Sequence, residues 1–494
     1  MIDPVVFFFP LSIPPHPHPH PPTHIHRLKV TKFNNGFGQF EGKGFAINYL
    51  FDVIAYISKW RIEGNSVTFS NKFIKSNFRQ IASEKPPLFR TFGGYTPPLP
   101  ASDRIPVIMS LLNDNLNVNV IKVGSKLFAI SDMSGMMELD PLNLNTVGFL
   151  KFNDSLVNPL AVITCAHPNQ LPGDKYLYNY HVNIMGNMPH VMKMNEYVFY
   201  RIDTSKVEEQ GMVREAVLKI PVGDGELPYM HSFAQTPNYF VLFKFPLFWD
   251  LFGIMGGMDI LPDMHWKPQN GTHVLVIDKR TMTVVKEHWT KEVFAYHHMN
   301  AFEDNGNVVC DISTVPCNGA DPDKGGAECN HMNAFNLATV RNESWNIPNN
   351  TIERFTVPVT SSMPAITYRV LTNISFDLQA IHPDKKGQPY RYVWGNGDHG
   401  SGTWWSSLVK IDLHTGESLE WYKDDHYASE PNYIPRPGAT EEDDGVLIAT
   451  VLGGPYNHSY LLVLNASTME ELAEADTPHF LPFPSHGFAE IDPV

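Results

Sequence analysis

The sequence predicts an all-β fold, and three observations predict it. Apolar segments are short, rich in β-branched and aromatic residues, and separated by Pro, Gly, Asn and Asp, which is the pattern of strands and turns. With 40 Pro and 34 Gly in 494 residues, long helices have little room, because both residues disfavour helix interiors. Four stretches share one plan: an apolar strand, a turn opened by Asp or Asn, then a second strand or short helix. They are Met137–Phe149, His273–Glu287, Ser407–Tyr422 and Tyr460–Glu474. Asp and Asn open such turns by hydrogen-bonding the backbone two residues on. In a β-propeller they would be the outer hairpins of successive blades. Their spacing is irregular, so the repeat alone does not establish a propeller.

Taken from the N-terminus, the chain opens on an apolar run, Val5–Ile13, that is short and broken by Pro10. It lacks a basic leading region and a cleavage site, so it does not read as a signal peptide. The next segment alternates His and Pro and holds His16, His18, His20, His24 and His26. Residues 1–33 are expected to form a disordered, polyproline-like tail, and residues 34–494 a single domain with no internal linker. No run of about 18 apolar residues occurs, so no transmembrane helix is expected. A formal net charge of −15 without a basic run argues against nucleic acid as a partner. The four cysteines (Cys165, Cys310, Cys317, Cys329) include no CxxC pair. Reduced thiols in a cytosolic compartment are the simplest reading, with neither a disulfide framework nor a thiolate metal site.

Four histidines stand in separate apolar contexts: His167 in TCAHPNQ, His231 in MHSFAQTPNY, His297 in FAYHHMNAFED and His486 in PSHGFAEI. They are scattered along the chain, so only the fold could gather them. Neutral imidazole is the commonest metal ligand. A structural zinc site would be closed, tetrahedral and richer in cysteine. Four imidazoles in a larger coordination sphere leave open positions, as an oxygen-activating iron(II) site requires. His298 adjoins His297, and strand alternation sends it to the opposite side.

Read together, these contexts resemble the carotenoid cleavage oxygenase family from about Asn34 onward. The four histidine contexts match the family's four iron-ligand contexts in order. Leu50–Tyr56 (LFDVIAY), Ser429–Gly454 (SEP…EDDGV) and Tyr460–Ala475 resemble three further family segments, and the EDDGV wording is closest to the animal branch. The resemblance implies a single seven-bladed β-propeller with a dome of loops and short helices over the metal-bearing face. It implies Fe(2+) held by His167, His231, His297 and His486, and no organic cofactor. His297 is preferred to His298 because the family's ligand lies three residues before the Asn, here Asn300.

The resemblance also implies three carboxylates behind the ligands, which fix ring orientation and tautomer. Glu430 matches the family's glutamate directly. Asp132 and Asp377 stand where the family has Glu, and aspartate is one methylene shorter, about 1.5 Å of reach. A closer backbone, a bridging water or a weakened site could each follow. Glu138 is a poorer substitute for Asp132, being in the following strand. Val53 stands where the family commonly has Gly, and Ser485 where it has Phe beside the last ligand. The segment PLFWDLFGIMGG leaves two readings open: core beneath the dome, or an exposed patch dipping into a membrane. Phe248, Trp249, Leu251, Phe252 and Ile254 would form that patch.

The expected activity is iron(II)-dependent dioxygenation of a carotenoid or apocarotenoid, with molecular oxygen cleaving a conjugated double bond into two carbonyl products. The same family fold hosts non-oxidative retinoid isomerases, and a degenerate carotenoid-binding protein is a third reading, drawing on Asp132, Asp377, Val53 and Ser485. A cytoplasmic protein with peripheral membrane contact is expected. The sequence leaves oligomeric state, substrate and cleaved bond open.

Overall fold

The computed structural model describes residues 7–10 and 29–492 except 43, 85–93, 97–112, 134, 151, 153, 155, 157–162, 184–195, 223–225, 251–263, 318, 322–325, 330–333, 342–348, 401–404, 455–457 and 478–479. The fold is all-β, with only short helices such as Asn77–Glu84. Seven antiparallel sheets of four or five strands succeed one another along the described chain, and two sheets of short strands lie outside this series.

The first of the seven contains both ends of the described chain. Lys29–Gln39 lies between Ile54–Glu63 and the last strand, Pro484–Ile491, and Ser66–Phe73 follows. The other six begin at Asn119–Val123, Ile163–Thr164, Ala234–Gln235, Phe294–Asp304, Asp377–Ala380 and His426–Ala428. Each then builds outward. The fourth strands Thr146–Phe149 and Thr283–Thr290 contain no buried residue, whereas Ile163–Thr164 and Ala234–Gln235 are buried throughout. Function is therefore expected where the first strands converge.

The four Asp/Asn hairpins form the third and fourth strands of their sheets, and their turns carry the expected bonds. The side chains of Asp140, Asp278, Asp412 and Asn465 accept from the backbone N–H of Leu142, Arg280, His414 and Ser467, each two residues on. Neighbouring sheets are glued by their faces. Trp394 of the sixth stacks on Tyr433 beside the seventh at 4.5 Å between ring centroids, and the Trp394 indole N–H donates to the Ala466 carbonyl.

Two expectations need correction. Lys29–Phe33, assigned to the tail, belong to the strand Lys29–Gln39, where Val30 and Phe33 are buried. Phe7–Pro10 also pair as a strand with Ser66–Phe69. The His/Pro segment itself lies outside the described residues. The reduced-thiol reading fails for two of the four cysteines: Cys317 and Cys329 form a disulfide, while Cys165 and Cys310 are free and buried. Spacing alone could not reveal the bond. The strands Gly319–Asp321 and Gly326–Glu328 pair as a hairpin and bring its flanking cysteines together. Closing so short a loop lowers the entropy of the unfolded chain by roughly 2–3 kcal/mol. The double variant Cys317→Ser/Cys329→Ser is therefore expected to lower the denaturation midpoint, and a reductant is expected to do the same to the wild type only.

His181, in the second strand of the third sheet (Tyr176–Asn183), is 3% exposed. Burial, aided by the Arg214 charge, pulls its pKa down to about 4. A depressed histidine pKa means that the unfolded chain binds the proton more readily. Stability is then complete above the ordinary value of about 6.5 and falls by about 1.4 kcal/mol per pH unit below it, until the folded-state pKa is reached. His181→Phe is expected to flatten that part of the stability–pH profile, measured by denaturant titration.

Candidate metal centre

The innermost strands bring four imidazoles to one point. His297 lies in Phe294–Asp304 and His486 in Pro484–Ile491, while His167 follows Ile163–Thr164 and His231 precedes Ala234–Gln235. Their ligand atoms all lie within 4.8 Å of one another, and the Nε2 atoms of His167 and His231 are 2.9 Å apart. His231, His297 and His486 are buried. A break in strand register between Ala295 and His298 separates the two adjacent histidines. His297 joins the cluster, whereas His298 contacts Ser232 Oγ at 2.8 Å through Nδ1 and packs beside Phe243 and Phe245.

Three of the four rings are backed by the three expected carboxylates. His231 Nδ1 is 2.7 Å from Asp132 Oδ2, His297 Nδ1 is 2.7 Å from Asp377 Oδ1, and His486 Nδ1 is 3.1 Å from Glu430 Oε1. A carboxylate only accepts, so each Nδ1 carries the proton and each Nε2 turns a lone pair toward the cluster. Nε2 of His297 is buried and has no partner among the described residues. Burial, and then its three histidine neighbours, hold His167 well below the ordinary histidine pKa, which keeps it neutral. Lone pairs converging between the rings are short of donors, and a cation supplies what they lack. The residues present fit a single metal ion.

Both aspartates make direct contact despite their shorter reach. Near Asp377 the chain is irregular: pairing shifts between Asp377 and Ala380, and Leu378 has φ 52°. A leucine rarely adopts that left-handed conformation, which costs of order 1–3 kcal/mol, and here it carries the strand bend that aims Asp377. Asp377 Oδ1 also accepts from the Leu378 N–H, and Asn350 Nδ2 donates to Oδ2. Asp132 accepts from the Tyr229 hydroxyl and from the Ala166 N–H, the residue before His167. It thus braces two of the four clustered histidine positions at once. Glu138 lies in the next strand and pairs with Lys126.

An open cleft reaches the cluster. Phe51, Tyr296, Phe335, Phe376 and Trp405 line it together with His231, His297 and His486. Ser485 lies in its wall, where the resemblance gives an aromatic. An aromatic wall is nevertheless present, because Trp405 stacks on Phe483 at 4.9 Å between centroids. Val53 needs no glycine conformation, having φ −62°. Its carbonyl accepts from Asn115 and Asn117.

The apolar segment divides. Trp249 is 1% exposed and packs beside Tyr229 at 5.5 Å, so it is core and not part of a membrane patch. Strand alternation in Leu247–Asp250 turns Leu247 and Trp249 inward together. Phe248 is half-buried, and the Lys267 ammonium lies 5.9 Å from its ring centre. Leu251, Phe252 and Ile254 lie outside the described residues.

Sequence reasoning missed Tyr229, Asn350 and the Asn115/Asn117 pair. Tyr229 is two residues before His231, a spacing that shares a face in extended chain. Asn115, Asn117 and Asn119 alternate with buried Leu116, Val118 and Val120, and that period of two was a legible signal. Nothing local marked Asn350.

Residues 27–488 match the family described as retinal pigment epithelial membrane protein. The chain is 28% identical to the carotenoid isomerooxygenase of Galleria mellonella, over 93% of this chain and 91% of that protein. It is 27% identical to the mitochondrial carotenoid-cleaving dioxygenase of Macaca fascicularis, over 92% and 88%. The fold is similar to that of cobalt-substituted Synechocystis apocarotenoid oxygenase, with a TM-score of 0.80 at 20% identity, covering 100% of this chain and 97% of that one. The chain belongs to the retinal pigment epithelial membrane protein family, the carotenoid cleavage oxygenases that its histidine contexts resemble.

Proposed function

We propose that this protein is an iron(II)-dependent dioxygenase that cleaves a conjugated double bond of a carotenoid or apocarotenoid into two carbonyl products. The observation that carries the reading is the cluster of four imidazoles, three of them oriented by carboxylates, at the end of an aromatic-lined cleft. The names of the relatives support the substrate class. In this reading the seven successive sheets are blades of one propeller and the connecting segments form its dome.

Bound iron(II) would supply open coordination positions for activating dioxygen. The chain's own residues do the rest. His167, His231, His297 and His486 hold the ion with no thiolate or carboxylate competing for it. Asp132, Asp377 and Glu430 accept from the Nδ1 of His231, His297 and His486 and so fix those three rings. Phe51, Tyr296, Phe335 and Trp405 bind and orient the polyene and exclude water, and their ring faces favour electron-poor polyene states. The direct 2.7 Å contacts of both aspartates remove two grounds for a degenerate binding protein. Peripheral membrane contact through Phe248 and the segment after Asp250 belongs to the same proposal, since the substrates are nearly insoluble. A Leu251→Asp/Phe252→Asp variant is expected to lose co-flotation with phosphatidylcholine vesicles while retaining its melting temperature.

Aerobic incubation of the iron-loaded protein with β-carotene or an apocarotenal in detergent, with product masses determined, tests the reading. Oxygen-dependent aldehydes support it. A retinyl ester converted without oxygen incorporation would replace it with the isomerase.

A further inference from the structure

Each carboxylate behind a ring must itself be held. Asp132 is held by the Tyr229 hydroxyl and the Ala166 N–H, and Asp377 by the Asn350 amide and the Leu378 N–H. Glu430 is one methylene longer and has one more torsion to fix. Its two oxygens face His486 Nδ1 and the Gly487 N–H, each at 3.1 Å. The backbone from which it extends is irregular. Ala428 pairs with Val451 and Asn432 with Ile448, so Ser429, Glu430 and Pro431 stand opposite only Ala449 and Thr450. Such a bulge re-aims a side chain, and the aim lasts only if the bulge is anchored.

The anchor is Lys32. It lies in Lys29–Gln39, the strand paired with that of His486, and it is 1% exposed. Its Nζ donates to the Glu430 carbonyl at 3.4 Å and to Asn432 Oδ1, so it grips the middle of the bulge and the first residue paired after it. The Ser429 hydroxyl also donates to the Glu430 carbonyl, at 3.3 Å, but Ser429 belongs to the bulge itself. Lys32 holds it from the neighbouring sheet. Asn34 falls on the same side of the strand as Lys32 and is fully buried, yet neither polar atom of its side chain has a partner among the described residues. It does not share the task. Among the described residues Lys32 makes no ion pair, and its hydrogen-bond acceptors are neutral. Burying an ammonium in that way is costly. Burial pulls its pKa down to about 7, and the Glu430 charge opposes the fall. A methionine would fill the same space without that cost, so packing alone does not account for a lysine here.

We propose that Lys32 is a positioning residue of the metal centre: by holding the bulge at the Glu430 carbonyl and at Asn432, it aims the Glu430 carboxylate at His486 Nδ1 and so turns the Nε2 lone pair of that ring toward the ion. An amine donates whether or not it is protonated, so the role persists on both sides of neutral pH. It rests on the proposed metal site, but on neither the identity of the metal nor the oxygen chemistry. A bolt that merely joined the first and seventh sheets would affect melting temperature without acting through Glu430.

The test is a double-mutant cycle on cobalt(II) affinity, measured by competition with a chelator, for wild type, Lys32→Met, Glu430→Gln and the double variant. Lys32→Met is expected to lower the affinity about 10-fold, the lower end for an orienting contact. In the Glu430→Gln background the same change is expected to cost less than about 2-fold, because residues that act through one another are not additive. An affinity unchanged by Lys32→Met, or lowered equally in both backgrounds, would overturn the proposal. Should Lys32→Met not fold, Asn432→Ala, which removes the other end of the grip, replaces it in the same cycle with the same two outcomes. A wild type that binds no cobalt(II) would overturn the metal-site reading instead. The nitrogen-15 shifts of the His486 ring in metal-free protein then decide the role of Lys32: loss of the Nδ1–H tautomer in Lys32→Met supports it, and an unchanged ring overturns it.

Discussion

Replacing His297 with alanine is expected to abolish metal retention and to reduce polyene cleavage by at least 100-fold, while the fold survives. The side chain is buried, its Nε2 finds no partner other than the cluster, and its Nδ1 is locked to Asp377 at 2.7 Å. Under the proposed function, removal takes away one of four ligands, and it leaves the Asp377 carboxylate facing a small hole. Losing one orienting contact already costs about 10–100-fold, so losing the ligand costs more. Metal content after dialysis and single-turnover absorbance loss would measure the two effects. His298→Ala serves as the contrast. It removes a ring packed on Phe243 and Phe245, so its cost is expected in melting temperature, with metal content retained.

Asp132→Asn and Asp377→Asn are expected to differ, although both aspartates stand 2.7 Å from a histidine. Asp132 accepts from His231 Nδ1, the Tyr229 hydroxyl and the Ala166 N–H. An amide there must turn its NH₂ toward one of these donors, and no rotation avoids the clash. Asp377 offers Oδ1 to His297 and to the Leu378 N–H, and Oδ2 to Asn350. An amide can keep its oxygen on the first pair and place its NH₂ toward Asn350. Asn350 then flips to accept through its Oδ1, which has no partner among the described residues. Metal affinity is therefore expected to fall about 100-fold for Asp132→Asn and about 10-fold for Asp377→Asn, measured by competition with a chelator. Equal losses would show that charge alone, and not the local donor pattern, sets the effect.

These residues also show what the sequence could and could not reveal. Short apolar segments and the Asp/Asn turns at 140, 278, 412 and 465 announced strands and hairpins, because side-chain-to-backbone bonds two residues on are local. The four histidines and three carboxylates were legible only through their contexts, since each contact joins residues far apart; Asp132 and His231 are separated by 99 positions. The bend at Leu378 that lets a shorter acid reach His297 is set by sheet pairing and left no trace in composition. The disulfide escaped notice because hairpin pairing, and not a CxxC spacing, unites Cys317 and Cys329. Trp249 was misplaced because an apolar run looks alike whether it faces a membrane or a core. Asn300 entered the sequence argument only as a landmark for His297, and its hydrogen bonds to the backbone of Lys385, Gly387 and Gln388 appeared with the fold.

Iron K-edge X-ray absorption of protein reconstituted anaerobically with iron(II), together with metal stoichiometry, tests the central claim most directly. Four histidines meeting at one point predict one iron per chain, with multiple scattering from four imidazoles and no sulfur shell. Substoichiometric iron, or a shell dominated by carboxylate oxygen or sulfur, would contradict it.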